Sequence, residues 1–257
     1  MAAAASEESV VTQVRVGCCG FPQALSRYAR IFPVAEVQQT FYQPPQPRTL
    51  EKWRTQVPAE FEFTLKAWQL ITHESNSPTY RRLREKLSER QRREAGAFRV
   101  NSTVMAAWQR TLESARALGS RVILFQCPAR FTPTGENKAN LKAFFGEVTR
   151  AFRAQPRAAE LTFVWEPRGE WKHEEVRDLC AELGLVHGVD PFQRPPATAG
   201  LGYFRLHGRT GYRYRYTDED LAHLLEWAQT GSRCYVLFNN ISMLEDARRF
   251  QQLTSGR

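Results

Sequence analysis

Eight short β-rich runs, most of them followed by a stretch of helical character, set the strongest limit on what this chain can fold into. The runs are VRVGCC (14–19), VAEVQ (34–38), FEFTLKA (61–67), RVILFQ (121–126), LTFVWE (161–166), LVHGVD (185–190), YFRLHG (203–208) and CYVLFN (234–239). Between them, ENKANLKAFFGEVTRAF places Leu141, Phe144, Phe145 and Val148 on one helical face. HEEVRDLCAELG, TDEDLAHLLEWAQTG and MLEDARRFQQL read the same way. Thr217 ahead of Asp218, Glu219 and Asp220 reads as an N-cap, and Gly184 and Gly231 read as helix ends. Eight strands with intervening helices in 257 residues predict an α/β fold, a TIM-type (β/α)8 barrel; a doubly wound open sheet is the alternative.

Residues 13–257 are expected to form this barrel as one domain, with 1–12 a disordered tail. The connection over 68–120, between the third and fourth strands, is long and predicts extra helices. Within it, 81–116 carries ten Lys and Arg against four Glu, read first as a solvated helix face and second as an anion-facing surface. The whole chain has a net charge of +9, which favours anionic partners such as nucleic acid or a phosphorylated metabolite. No apolar run approaches the roughly 18 residues of a membrane span, so no membrane partner is expected. MAAAASEESVV has neither a basic start nor a long apolar core, so no secretory signal is read. Cys18, Cys19, Cys127, Cys180 and Cys234 form no C-x-x-C and read as buried, reduced thiols of a cytoplasmic protein.

In such a barrel the site lies where the strands end. Those ends carry Glu36 and Gln38 with Tyr42 beyond, Lys66 leading to Thr72 and His73, Gln126, Glu166 with Arg168, Asp190, Arg205 with His207, and Asn239 with Asn240. Side chains two apart share a face, so these polar groups point inward while apolar ones meet the outer helices. Charges inside a barrel are expensive unless paired or used, and their convergence predicts a functional pocket.

Three chemistries fit. Glu36, His73, Glu166, Asp190 and His207 are ligand types for Zn²⁺ or Mn²⁺ with a metal-activated water. Alternatively, Glu36 and Glu166 act as acid–base carboxylates with His207 as shuttle. Lastly, Lys66 is a Schiff-base amine, although an ion pair with Glu36 or Glu166 is the preferred reading. Arg168 and Arg205 suit phosphate or carboxylate, or pair with Glu166 or Asp190. GRTGYRYRYT follows the seventh strand and is expected at the barrel rim, with Gly208 and Gly211 as hinges and Arg209, Tyr212 and Tyr214 toward substrate. Trp68 and Tyr42 are expected to add aromatic surface.

VGCCGFP, VAEVQQTFYQPP, FEFTLKAWQLITH, FQCP, WEPRGEW, VDPF, RLHGR and YVLFNN, in this order, resemble the YecE-like family, also called domain of unknown function 72. The resemblance covers about Val14 to Leu253 and implies a TIM-type barrel. It carries the family's acidic motif onto Glu36 and Gln38, its Lys and T-H onto Lys66, Thr72 and His73, and its R-x-H-G onto Arg205, His207 and Gly208. Its F-N-N falls on Phe238, Asn239 and Asn240. Cys18 and Cys19 depart from the family's G-T-S-G-W, and ISMLEDARRF lacks its glycine-containing segment, so the rim there is expected to differ. The resemblance implies no activity. The general plan is similar to endonuclease IV and xylose isomerase, which hold metals by Glu, Asp and His. The functional expectation is a hydrolase-like enzyme on a phosphate-bearing substrate, including nucleic-acid phosphodiesters. The alternatives are a non-catalytic nucleic-acid-binding protein and a metal-free enzyme on a small sugar phosphate or carboxylate.

Overall fold

A computed structural model describes residues 12–153 and 160–255; the expected tail, apart from Thr12, lies outside them. All eight runs are strands: β1 (Gln13–Cys19), β2 (Val34–Val37), β3 (Glu62–Lys66), β4 (Val122–Gln126), β5 (Thr162–Glu166), β6 (Val186–Val189), β7 (Leu201–Leu206) and β8 (Arg233–Phe238). Each pairs in parallel with the next, and β8 returns to β1 with Val16 opposite Val236. The barrel is closed, so the open-sheet alternative falls.

Alternation along the strands separates two cores. Val34, Val122, Leu124, Val164, Tyr203, Tyr235 and Leu237 fill the barrel interior. Residues at the intervening positions, such as Phe63, Phe125, Trp165 and Phe204, belong to the layer beneath the helices. The helices are α1 (Leu25–Tyr28), α2 (Gln39–Tyr42), α3 (Pro47–Thr55), α4 (Gln69–Thr72), α5 (Glu89–Glu94), α6 (Ser102–Leu118), α7 (Gly135–Arg153), α8 (His173–Leu183), α9 (Asp218–Ala228) and α10 (Met243–Ser255). Thr217 caps α9 in a capping box with Asp220, and Gly184 ends α8 at φ +65°. Gly231 does not end α9, which stops at Ala228. It serves a close approach instead: a Cβ there would lie 2.1 Å from the Gly200 carbonyl oxygen.

The long connection holds α4, a 3₁₀ turn (Pro78–Arg82), α5 and α6. Gly96, Ala97 and Phe98 all have positive φ (86°, 52° and 55°). Left-handed backbone disfavours the last two, and the buried Phe98 ring offsets this by packing with Phe125, Phe131, Phe144 and Phe145. Gly96 and Phe98 donate amides to the Leu70 and Ile71 carbonyls, which pins α4 and the His73 that follows it. A Cβ on Gly96 would stand 2.5 Å from the His73 carbonyl carbon. Gly96→Ala is therefore expected to lower unfolding free energy by about 2–3 kcal/mol. Urea unfolding checks this, and a loss no larger than that of Gly184→Ala, where space is open, would refute the close-approach argument.

Candidate functional site

The C-terminal mouth is organised around Arg205, 1% exposed on β7. Its guanidinium grips Glu36 of β2 with two nitrogens (Nη2 to Oε1 2.8 Å, Nε to Oε2 3.0 Å) and donates through Nη1 to Glu166 of β5 at 2.5 Å. Tyr203 donates to Glu36 Oε2 at 2.6 Å, and Gln38 donates to Glu36 Oε1. Arg168 donates Nε to Glu166 Oε1 (2.8 Å) and Nη2 to His207 Nε2 (2.6 Å). The His207 Nδ1 faces the Arg205 carbonyl at 2.9 Å, so Nδ1 carries the proton and Nε2 accepts from Arg168. The fold delivers these groups together because positions two apart on β2, β5 and β7 share the inward face.

This arrangement fixes the charges. Burial pushes the Glu36 and Glu166 carboxyls up, but Arg205 outweighs it, with Tyr203 adding a bond at Glu36 and Arg168 helping at Glu166; both are held low, Glu166 at about 2. Burial and Arg205 press His207 down to about 4. Burial, then Lys66, press His73 down to about 3. Lys66 falls to about 7, through burial and Arg205 against the pull of both glutamates.

The preferred pairing of Lys66 with Glu36 or Glu166 is not found, because Arg205 reaches both carboxylates first. Among the described residues the Lys66 ammonium has no ion-pair or hydrogen-bond partner. It lies 3.7 Å from the centroid of the Phe41 ring. The expected Zn²⁺ or Mn²⁺ ligand set also fails to form. Among the described residues no three His, Cys, Asp or Glu side chains come together as a metal site. The physical reason is the same: a guanidinium occupies the space between Glu36 and Glu166. Asp190 is used locally, accepting from the Phe192 and His207 amides.

Two clefts open at the mouth and share Arg168, His207 and Tyr212. One, about 390 Å³, brings together Gln38, Tyr42, Lys66, His73, Gln126 and Asn239 with Arg82 and Arg205. The other, about 550 Å³, is walled by Glu166, Asp190, Arg194 and Arg209. Tyr214 and Asn240 line neither. The Tyr214 hydroxyl donates to Asp220, and Asn240 Nδ2 donates to the Tyr214 carbonyl and Asp246. Trp68 is buried as the residue before α4, so it adds no rim surface. The Tyr and Arg alternation splits into separate tasks. Tyr212 is 54% exposed at the mouth, whereas Tyr216 is buried and its hydroxyl accepts from the Gly208 amide. Gly208 makes a tight turn that needs glycine: at φ +87° a Cβ would stand 2.2 Å from the Gly211 carbonyl oxygen. Arg82 and Tyr203 were not singled out in the sequence. Tyr203 shares the face of Arg205 and His207, a signal that period-2 reading contains. Arg82 stacks 3.6 Å from the Tyr42 centroid, a contact between distant segments with no local signal.

Fold and mouth together define a parallel (β/α)8-barrel protein with a buried carboxylate–guanidinium network beneath a cationic opening. The family described as "Protein of unknown function DUF72" matches residues 19–256, and the chain belongs to it. It is 26% identical over 247 residues to the UPF0759 protein YunF of Bacillus subtilis (strain 168), covering 85% of this chain and 80% of that protein. Crystal structures of DUF72 family proteins from Enterococcus faecalis V583 and Thermotoga maritima MSB8 superpose with TM-scores of 0.70 and 0.62, at 22% and 20% identity. They cover 96% and 95% of this chain and 99% of each of those chains. Endonuclease IV from Thermus thermophilus shares the fold at a TM-score of 0.52 and 11% identity, over 96% of this chain and 100% of that one.

Proposed function

We propose that the barrel mouth binds and acts on a phosphate-bearing substrate, with the smaller cleft taking the anion. The lining of that cleft carries this reading: Lys66, Arg82, Arg168 and Arg205 border it and no carboxylate does, among the described residues. Glu36 and Glu166 offset Arg205 and Arg168, which leaves Arg82 as uncompensated positive charge, joined by Lys66 in its protonated form. Gln38, Gln126 and Asn239 supply neutral donors beside them. Lys66 is the group in this cleft able to exchange a proton near pH 7. The two carboxylates are too firmly held by cations to serve as bases there. The five buried free thiols support a reducing compartment, the cytoplasm.

Nucleic-acid phosphodiesters are the larger members of the same substrate class. Exposed Tyr212 where the clefts join, with exposed Arg81, Arg84, Lys86 and Arg213, favours that second reading. Calorimetric titration with inorganic phosphate tests the first. Arg82→Gln is expected to weaken binding about tenfold, the scale of one charge-assisted hydrogen bond. Equal affinity in wild type and the Arg82→Gln/Arg168→Gln double variant would remove the proposal. A labelled single-stranded oligonucleotide tests the second, which requires affinity that falls steeply with salt.

A further inference from the structure

We propose that Lys66 is a covalent catalyst that forms an imine with the carbonyl carbon of a small phosphorylated aldehyde or ketone. This rests on the anion-binding reading of the same cleft and narrows its substrate class.

Three observations converge on Lys66. The first is residue choice. Lysine occurs at six positions in this chain, 52, 66, 86, 138, 142 and 172, in a sequence otherwise rich in arginine. Around the cleft, charge recognition falls to Arg82, Arg168 and Arg205. An arginine keeps its proton in proteins; a buried lysine can give it up. The one position in this cationic cluster that holds an amine is thus the one able to become a nucleophile. The second is placement. Lys66 is 5% exposed, at the end of β3, and borders the cleft. Lys138 and Lys142, by contrast, are ion-paired on the surface with Glu175 and Glu182. The third is freedom. The Lys66 nitrogen has no hydrogen-bond or ion-pair partner among the described residues and rests over Phe41. Attack on a carbonyl therefore breaks no existing bond. Burial and Arg205 against Glu166 and Glu36 hold its pKa near 7, so a large fraction is neutral at that pH.

The step balances without an external redox partner. The Nζ lone pair forms a C–N bond to the carbonyl carbon, and the carbonyl oxygen takes a proton to give a carbinolamine. Loss of that oxygen as water, carrying both former amine protons, leaves the C=N bond. Arg82 and Arg168 lie on the same cleft to hold the phosphate while this occurs.

The test is reductive trapping on the full chain. Protein is mixed with glycolaldehyde phosphate at pH 7.5, sodium borohydride is added, and peptides are mapped by mass. Lys66 is expected to be modified at least about tenfold faster than Lys52 or Lys86, because Arg82 and Arg168 hold the phosphorylated aldehyde beside it. Inorganic phosphate should slow the labelling, and unphosphorylated glycolaldehyde should label Lys66 more slowly. Equal labelling by both aldehydes, with Lys66 still preferred, would keep the imine and overturn the phosphate reading. Phosphate binding without preferential Lys66 labelling would overturn the imine and keep the anion site. The native chain is used, so no outcome depends on a variant folding.

Discussion

Arg205→Met is expected to cost about 3–5 kcal/mol of unfolding free energy at pH 7.5, the scale found when one member of a buried ion network is removed. The side chain is 1% exposed and supports two carboxylates at once, Glu36 and Glu166. Methionine replaces the aliphatic stem but stops short of the guanidinium position, so a packing loss adds to the loss of the ion pairs. What remains is Glu36 without its bonded cation and Glu166 held by Arg168. The Glu36 pKa should rise above 4.5 in the variant and that of Glu166 should rise from about 2, because burial then acts without the Arg205 guanidinium at Glu36 and against Arg168 at Glu166. The deficit is full above those raised values and shrinks as the pH falls through them, when the folded state takes up protons. Urea unfolding at pH 7.5 and 5.5 checks both parts. Adding Glu36→Gln to Arg205→Met should recover part of the loss, since one uncompensated charge goes with it. Arg205→Lys should not rescue fully, because an ammonium cannot make the two-pronged contact with Glu36 while also reaching Glu166. A loss below about 1 kcal/mol in Arg205→Met would mean that water or Lys66 already neutralises the acids.

The same network shows how far sequence reading reaches. Strand identity and facing are local properties, and period-2 alternation placed Glu36, Lys66, Glu166 and Arg205 on the interior side as found. The closed barrel then brings those positions to one mouth. Which cation meets which acid is a different matter. Lys66 and Arg205 stand on β3 and β7, and both face the acids. The guanidinium wins because its planar fork can bond Glu36 and Glu166 together, a choice set by reach across the barrel. That single outcome removed the metal set, left Lys66 unpartnered and lowered both carboxyls. The rim was less legible still. In Tyr212 to Tyr216 the alternation looks like a strip with one face toward substrate, but the tight Gly208 turn breaks the period. Tyr214 then reaches Asp220, and Tyr216 enters the core. Arg82 joined the cleft through a contact with Tyr42 that no spacing rule encodes.

A site built this way should be paid for in stability, and Lys66→Met is the variant that exposes it. The difference between an ordinary lysine at 10.5 and Lys66 at about 7 corresponds to roughly 4–5 kcal/mol at 1.36 kcal/mol per pKa unit. Local relaxation lowers this, so the variant is expected to be about 2–4 kcal/mol more stable than wild type at pH 6. The sign follows from proton counting. Between pH 7 and 10.5 the unfolded chain binds a proton at Lys66 that the folded chain does not, so wild-type stability rises with pH across that window. The advantage of Lys66→Met is therefore full below pH 7 and vanishes by about pH 10.5. Other groups shape the wild-type curve in the same direction at lower pH. His73 and His207, at about 3 and 4 in the folded chain against 6.5 unfolded, withdraw stability as the pH falls through that interval. Glu36 and Glu166, held below 4.5, do so further down. On the alkaline side, burial raises the pKa of all five thiols, so stability is present below about 9 and is lost as the unfolded chain ionises above it. Wild type should thus be most stable near pH 8–9, and Lys66→Met nearer pH 7–8. Urea unfolding at pH 6, 8 and 9.5 decides it. If Lys66→Met were less stable than wild type at pH 6, the ammonium would be a net stabiliser of the two glutamates, and the amine would not be free for chemistry.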